Sequence, residues 1–171
     1  LKGPSKKVTY ALYKPYGYLT AMTQVEPGFI VKKLIPDDIR VNPVGKLEKE
    51  AEGLLLLTND GELSKKLTDP ATAVPLMYEA YCTAPRSWTE GVAKRQLGRI
   101  KNVQLLSYNK SNDIVLQVTV AYERHKEIQK LLGTINITVE KLKRIAIGNL
   151  KLTDLDLSPG KWVEIDPENY F

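Results

Sequence analysis

Residues Val44 to Leu63 read "VGKLEKEAEGLLLLTNDGEL", and the second half of that stretch decides the fold. Leu54 to Thr58 form a short apolar run closed by Asn59-Asp60-Gly61. By periodicity alone such a run suits a buried strand or a buried helix, but its shortness and the turn residues after it favour a strand. Immediately before it stand three carboxylates, Glu48, Glu50 and Glu52, within five residues. They read either as a solvated loop or as a catalytic carboxylate loop mounted on a core strand. Downstream, "ELSKKL" predicts a short helix with Leu63 and Leu67 one turn apart.

Working outward, "VTYALY" from Val8 to Tyr13 alternates like a strand and stops at Lys14-Pro15-Tyr16-Gly17. A short amphipathic piece from Ile30 to Ile35 is broken by Pro36, and "IRVNPVGKL" is extended because Pro43 pushes Asn42 out of helical space. "MYEAYCT" predicts a strand. "SWTEGVAKRQLG" predicts a helix opened by a capping box in which Ser87 and Glu90 satisfy the free amides. "NVQLLSY" and "DIVLQVTVAY" predict an antiparallel pair joined by "NKSND". "RHKEIQKLLG" predicts a helix with Ile128, Leu131 and Leu132 on one face and Gly133 at its end. Two extended segments follow, "TVEKLKRIAIGNLKL" and "GKWVEI". Helices interleaved irregularly with strand pairs indicate an α+β fold and not a doubly wound parallel sheet.

The 171 residues suffice for one hydrophobic core. One domain is expected over 1–171, with its core at 8–165 and a C-terminal tail at 166–171. No apolar run approaches the roughly 20 residues of a membrane span, so a soluble protein with no membrane partner is expected. A single cysteine, Cys82, excludes an internal disulfide framework, and burial in a strand is its expected role. The net charge of +5 points to a polyanionic partner, since cationic side chains displace counterions from phosphates. The lone histidine, His125, allows neither a hydrolase triad nor a typical zinc site, and reads as a surface or phosphate contact.

Five landmarks in order carry a resemblance: "YKPYGYLT", "NPVGKLEKEAEGLLLLTNDGEL", "MYEAY", "LKRIAIGNLKL" and "LSPGKW". Together they resemble the RsuA-type family of RNA pseudouridine synthases, whose hallmark loop reads G-R-L-D-x-x-[ST]-x-G-L-L-L-L-T-N-D-G. The resemblance runs from about Tyr10 to Ile165. It implies the α+β fold with a mixed, mainly antiparallel central sheet flanked by helices and a catalytic loop in a basic cleft, and chemistry that uses neither metal nor organic cofactor. The few residues before Val8 are expected to leave no room for the small N-terminal RNA-binding domain that many members carry.

In that family the hallmark aspartate is the catalytic nucleophile or base that breaks and remakes the uridine glycosidic bond. Glu48 takes its position, Lys46 stands for arginine, Ala51 for serine or threonine, and Gly53 through Gly61 agree throughout. Tyr78 matches the strand tyrosine, to be read as core or as a platform for the target base, whereas Leu76 replaces a family lysine. The family's basic helix is blurred into "YERHKEIQKLL". The resemblance places Lys14, Lys46, Arg124, Lys126, Lys143 and Arg144 along the RNA cleft. Glu50 and Glu52 are expected to be solvated charges, and Lys94, Arg95 and Arg99 on the capped helix read equally as phosphate contacts or as an ordinary solvated face.

An added methylene moves a carboxylate by up to roughly 1.5 Å, and misplacement of about 1 Å can cost on the order of 100-fold in rate. The expectation is therefore an RNA-binding relative with lost or impaired isomerase activity. Its expected partners are ribosomal RNA or a pre-ribosomal particle, with ribosomal or assembly proteins beside it, in the cytoplasm or an organelle matrix. Competing readings are a working isomerase using Glu48 and a protein-binding module that retains only the fold.

Overall fold

The structure is a computed structural model that describes residues 6–72, 74–121 and 125–171, with the backbone alone for His125 and Lys126. The strands are β1 (Thr9–Lys14), β2 (Tyr18–Leu19), β3 (Phe29–Ile30), β4 (Asn42–Pro43), β5 (Ala51–Thr58), β6 (Leu76–Thr83), β7 (Val103–Tyr108), β8 (Asp113–Val120), β9 (Thr138–Ile147), β10 (Leu150–Lys151) and β11 (Trp162–Glu164). The helices are α1 (Gly61–Thr68), α2 (Glu90–Leu97) and α3 (His125–Gly133).

One sheet runs in the order β11-β1-β5-β9-β6-β8-β7, with β4 added to β5 and β10 to β9. Its pairs are antiparallel except β5 with β9, which run parallel from Ala51 to Gly53. The fold is therefore α+β with a mixed, mainly antiparallel sheet. The leucine run is the strand its brevity implied, and every residue of β5 is buried. β6 instead alternates: Leu76, Tyr78, Ala80 and Cys82 are buried while Met77, Glu79, Tyr81 and Thr83 are half-exposed. Its buried face joins the β8 residues Ile114, Leu116 and Val118, with Ala93 and Leu97 of α2 and Ile128 and Leu132 of α3, in one hydrophobic cluster. Each such residue gains roughly 1.5–3 kcal/mol by leaving water, less for the alanines.

Two helix details differ from expectation. The cap of α2 is Thr89, whose Oγ1 accepts from Val92 N at 3.3 Å. Ser87 lies instead in a turn closed by Trp88 N donating to Pro85 O, so the chain enters the helix two residues later than a capping box at Ser87 requires. On α3, Leu131 is largely exposed, and Ile128 and Leu132 form the buried stripe. Among the described residues, no helix is long and apolar enough to cross a membrane.

Candidate active site

Four widely separated positions line up across the sheet. Lys14 on β1 stands opposite Gly53 on β5, Gly53 beside Arg144 on β9, and Arg144 opposite Tyr78 on β6. Directly opposed residues share a face, so Lys14, Arg144 and Tyr78 form one transverse row, and all three are buried. The row demands a glycine at its second place. Gly53 has φ of +116°, and a Cβ there would lie 2.7 Å from Arg144 N and collide with Arg144 O. Only a residue without a side chain lets β5 and β9 approach so closely.

Beyond Gly53 and Arg144 the two parallel strands part. The carbonyl of Leu54, left without a ladder partner from β9, accepts from Arg144 Nε at 2.8 Å. The guanidinium thus spans the split, satisfying a buried acceptor that would otherwise cost stability. Arg144, expected along the RNA cleft, is itself buried between the two strands.

Glu48 lies in the loop that enters β5, half-buried. That loop is tied along its backbone. Lys14 Nζ donates to Ala51 O at 2.7 Å, Pro15 O at 3.0 Å and Lys49 O at 3.5 Å. Thr20 Oγ1 donates to Leu47 O at 2.6 Å and accepts from Leu47 N at 3.3 Å. Gly17 N donates to Lys49 O, Ala51 N to Glu48 O, and Val44 N to Leu56 O. A buried ammonium survives when carbonyls meet its donors. Lys14, expected along the RNA cleft, is buried, with its ammonium bonded to carbonyls that include two of the carboxylate loop. Lys46 is exposed on the same loop.

Lys143 parts company with Arg144, because successive strand residues face opposite ways. It lies on the other face of the sheet, its ammonium 5.2 Å from the Tyr13 ring centroid. With Tyr13, Met77, Glu79 and Leu152 it lines a cavity of about 380 Å³. Glu52 faces this side too. It is only 7% exposed, accepts from Tyr13 OH at 3.3 Å and is ion-paired with Lys141. The expected solvated charge at Glu52 is therefore a buried, partnered one, because Glu52 is already inside β5; Glu50, outside it, is exposed. Lys141 also sits 5.3 Å from the Tyr81 ring, and Tyr81 OH donates to Glu79 at 2.8 Å. Burial, then this hydrogen bond and the Glu79 charge, push the Tyr81 phenol up to about 12.

Of the remaining expected site residues, Tyr78 is fully buried as a core member of the row, Arg124 lies outside the described residues, and Lys126 is placed in the first turn of α3 by its backbone alone. Lys94, Arg95 and Arg99 are exposed as a solvated face. Cys82 is buried and free, its thiol pushed up to about 12 by burial and then by Glu140. Among the described residues, no group of three or more His, Cys, Asp or Glu is arranged to hold a metal ion. Thr20 and Lys141 went unnoticed in the sequence, and Glu52 was expected in solvent. Strand phase alone could have placed Glu52 inside β5, whereas nothing local marks Thr20.

The chain is similar to known proteins over nearly its whole length. It is 36% identical to an uncharacterized RNA pseudouridine synthase of Aquifex aeolicus (strain VF5), over 95% of this chain and 68% of that protein. It is 30% identical to the ribosomal large subunit pseudouridine synthase B of Bacillus subtilis (strain 168), over 86% of this chain and 64% of the relative. The crystal structure of a pseudouridylate synthase superposes with a TM-score of 0.75 at 19% identity, covering 99% of this chain and 74% of that one, and so shares its fold. A model of the RNA pseudouridylate synthase family matches residues 8–161. With the row of Lys14, Gly53, Arg144 and Tyr78 set beside a hallmark loop, the chain belongs to the RNA pseudouridylate synthase family.

Proposed function

We propose that this protein binds RNA, ribosomal RNA or a pre-ribosomal particle, at the Glu48 loop, that its uridine isomerase activity is impaired or lost, and that it serves in ribosome assembly. The observation that carries the reading is the bracing of residues 44–51. A glutamate could do an aspartate's work if its loop withdrew by about one bond length. Here withdrawal would break the bonds from Lys14, Gly17 and Thr20 to that loop. The longer side chain is carried forward on a fixed backbone, and near-attack geometry tolerates no such shift. Phosphate contacts depend on summed cationic charge and tolerate it. The ribosomal substrate class is taken from relatives named as large-subunit synthases.

The retained row of Arg144 and Tyr78 favours a second reading, a working synthase with Glu48 as its carboxylate. Mapping pseudouridine in ribosomal RNA incubated with purified protein separates the two. The impaired reading expects no new site with the natural chain, and Glu48→Asp to raise turnover on the order of 100-fold. A natural-chain site abolished by Glu48→Gln establishes the second reading instead.

A further inference from the structure

The segment between β1 and the first 3-10 turn leaves large rings in water beside the carboxylate loop. Tyr16 is 59% and Phe29 63% exposed, and the Tyr18 ring stacks on Phe29 with centroids 5.2 Å apart and planes 28° from parallel. β2 and β3 pair in parallel with Tyr18 directly beside Phe29, which holds the two rings together. Ile30 and Val31, next in the chain, are buried, so the strand is anchored while its first ring points outward. A large exposed aromatic cluster is the informative departure from ordinary burial.

This cluster is bonded to the Glu48 loop on both sides of the carboxylate. Gly17 N, between Tyr16 and Tyr18, donates to Lys49 O at 2.8 Å. Thr20 exchanges two hydrogen bonds with Leu47. The exposed cations Lys46 and Lys49 stand next to or at the loop residues so bonded, and Lys33 is exposed four residues beyond Phe29; Glu26, Asp37, Asp38 and Glu50 are exposed acids of the same segments.

We infer that the stacked Tyr18–Phe29 pair, with Tyr16, is a platform for unpaired bases of the RNA strand that flanks the nucleotide held at Glu48. The inference rests on the RNA-binding reading above and deepens it by naming what grips the flanking strand. Every base has a π-face, so flat open rings among lysines hold single strands with little sequence preference, while lysines alone hold duplex and single strand through their phosphates. Phe29 carries no charge, so its contribution is separable from phosphate attraction.

The test measures, by fluorescence anisotropy across a salt series, the binding of the full chain to a labelled single-stranded oligouridylate of about twelve nucleotides and to ribosomal RNA fragments. Phe29→Leu, which keeps apolar bulk but removes the ring, is expected to weaken oligouridylate binding roughly 5- to 100-fold. Its salt dependence should match that of the natural chain, because no phosphate contact is lost. Phe29→Tyr should stay within about twofold. Replacing the bases with abasic residues should abolish the difference between Phe29→Leu and the natural chain. Equal oligouridylate binding by Phe29→Leu and the natural chain overturns the platform and leaves the surface to a protein partner, even if ribosomal RNA is still bound. A natural chain that binds neither RNA overturns the RNA-binding reading together with the platform. Unchanged thermal unfolding of both variants shows that the fold is intact.

Discussion

β1 and β5 on one side of the sheet, and β6 and β8 on the other, solve the same burial problem differently. Every residue of β1 and β5 is buried, polar ones included, whereas β6 alternates residue by residue and β8 buries only Ile114, Leu116 and Val118. A strand covered on both faces has no solvent side on which to leave a charge, so each polar group within it must find a specific partner. Lys14 finds carbonyls and Glu52 finds Lys141 and Tyr13. β6 instead sets its polar residues on a half-exposed face, where Glu79 and Tyr81 stand opposite Lys143 and Lys141 of β9. Between the two halves lies the seam where β5 and β9 part and Arg144 bridges the split.

The difference predicts effects of decreasing size. Gly53→Ala strikes the doubly covered half at its tightest point, adding a Cβ against the Arg144 backbone at a positive φ. Urea unfolding should show a loss of about 3 kcal/mol or more, because neither strand can yield; a loss below about 1 kcal/mol would mean that the close approach is not needed. Lys14→Met keeps the bulk but strips three carbonyls of their donor. A loss of about 2–3 kcal/mol is expected, with faster proteolysis at residues 45–50 than elsewhere; unchanged proteolysis there would dissociate Lys14 from the bracing of the loop.

Tyr81→Phe tests the one-sided half and should change little at neutral pH. Its effect belongs to alkaline solution. An unfolded tyrosine ionises near 10, whereas Tyr81 in the fold holds its proton to about 12. Between those values the unfolded chain has released a proton that the folded chain keeps, so rising pH favours unfolding. The natural chain should therefore lose stability from about pH 10 to 12 more steeply than Tyr81→Phe, as read by chemical denaturation at successive pH values. Identical alkaline slopes would show that Tyr81 is as free to ionise as an unfolded tyrosine.

Strand identity was legible wherever the apolar pattern was regular. The alternation in "MYEAYCT" and the pair around "NKSND" appear where their periods place them, whereas the leucine run has no period of its own and was legible through its brevity and the turn residues after it. The carboxylate loop was legible through its hallmark residues and the family comparison. Ser87 misled because a turn closed by Pro85 takes up the residues before α2, and serine and threonine serve equally as caps. Leu131 misled because residues three and four apart both border a helical stripe, and only the neighbouring strand selects Leu132. The exposed ring of Phe29 had no local signal, since an apolar residue is expected inside.

By itself the sequence determined the strands, the turn residues, the glutamate in an aspartate's place and the cationic excess, because each is a property of neighbouring residues or of their sum. Tertiary structure alone decided which cations serve which purpose. Lys14 went inside to brace a loop, and Lys143 and Arg144, adjacent in the chain, went to opposite faces of the sheet. The physical reason is that a strand's alternation says two faces differ, while only pairing with distant strands decides what each face meets.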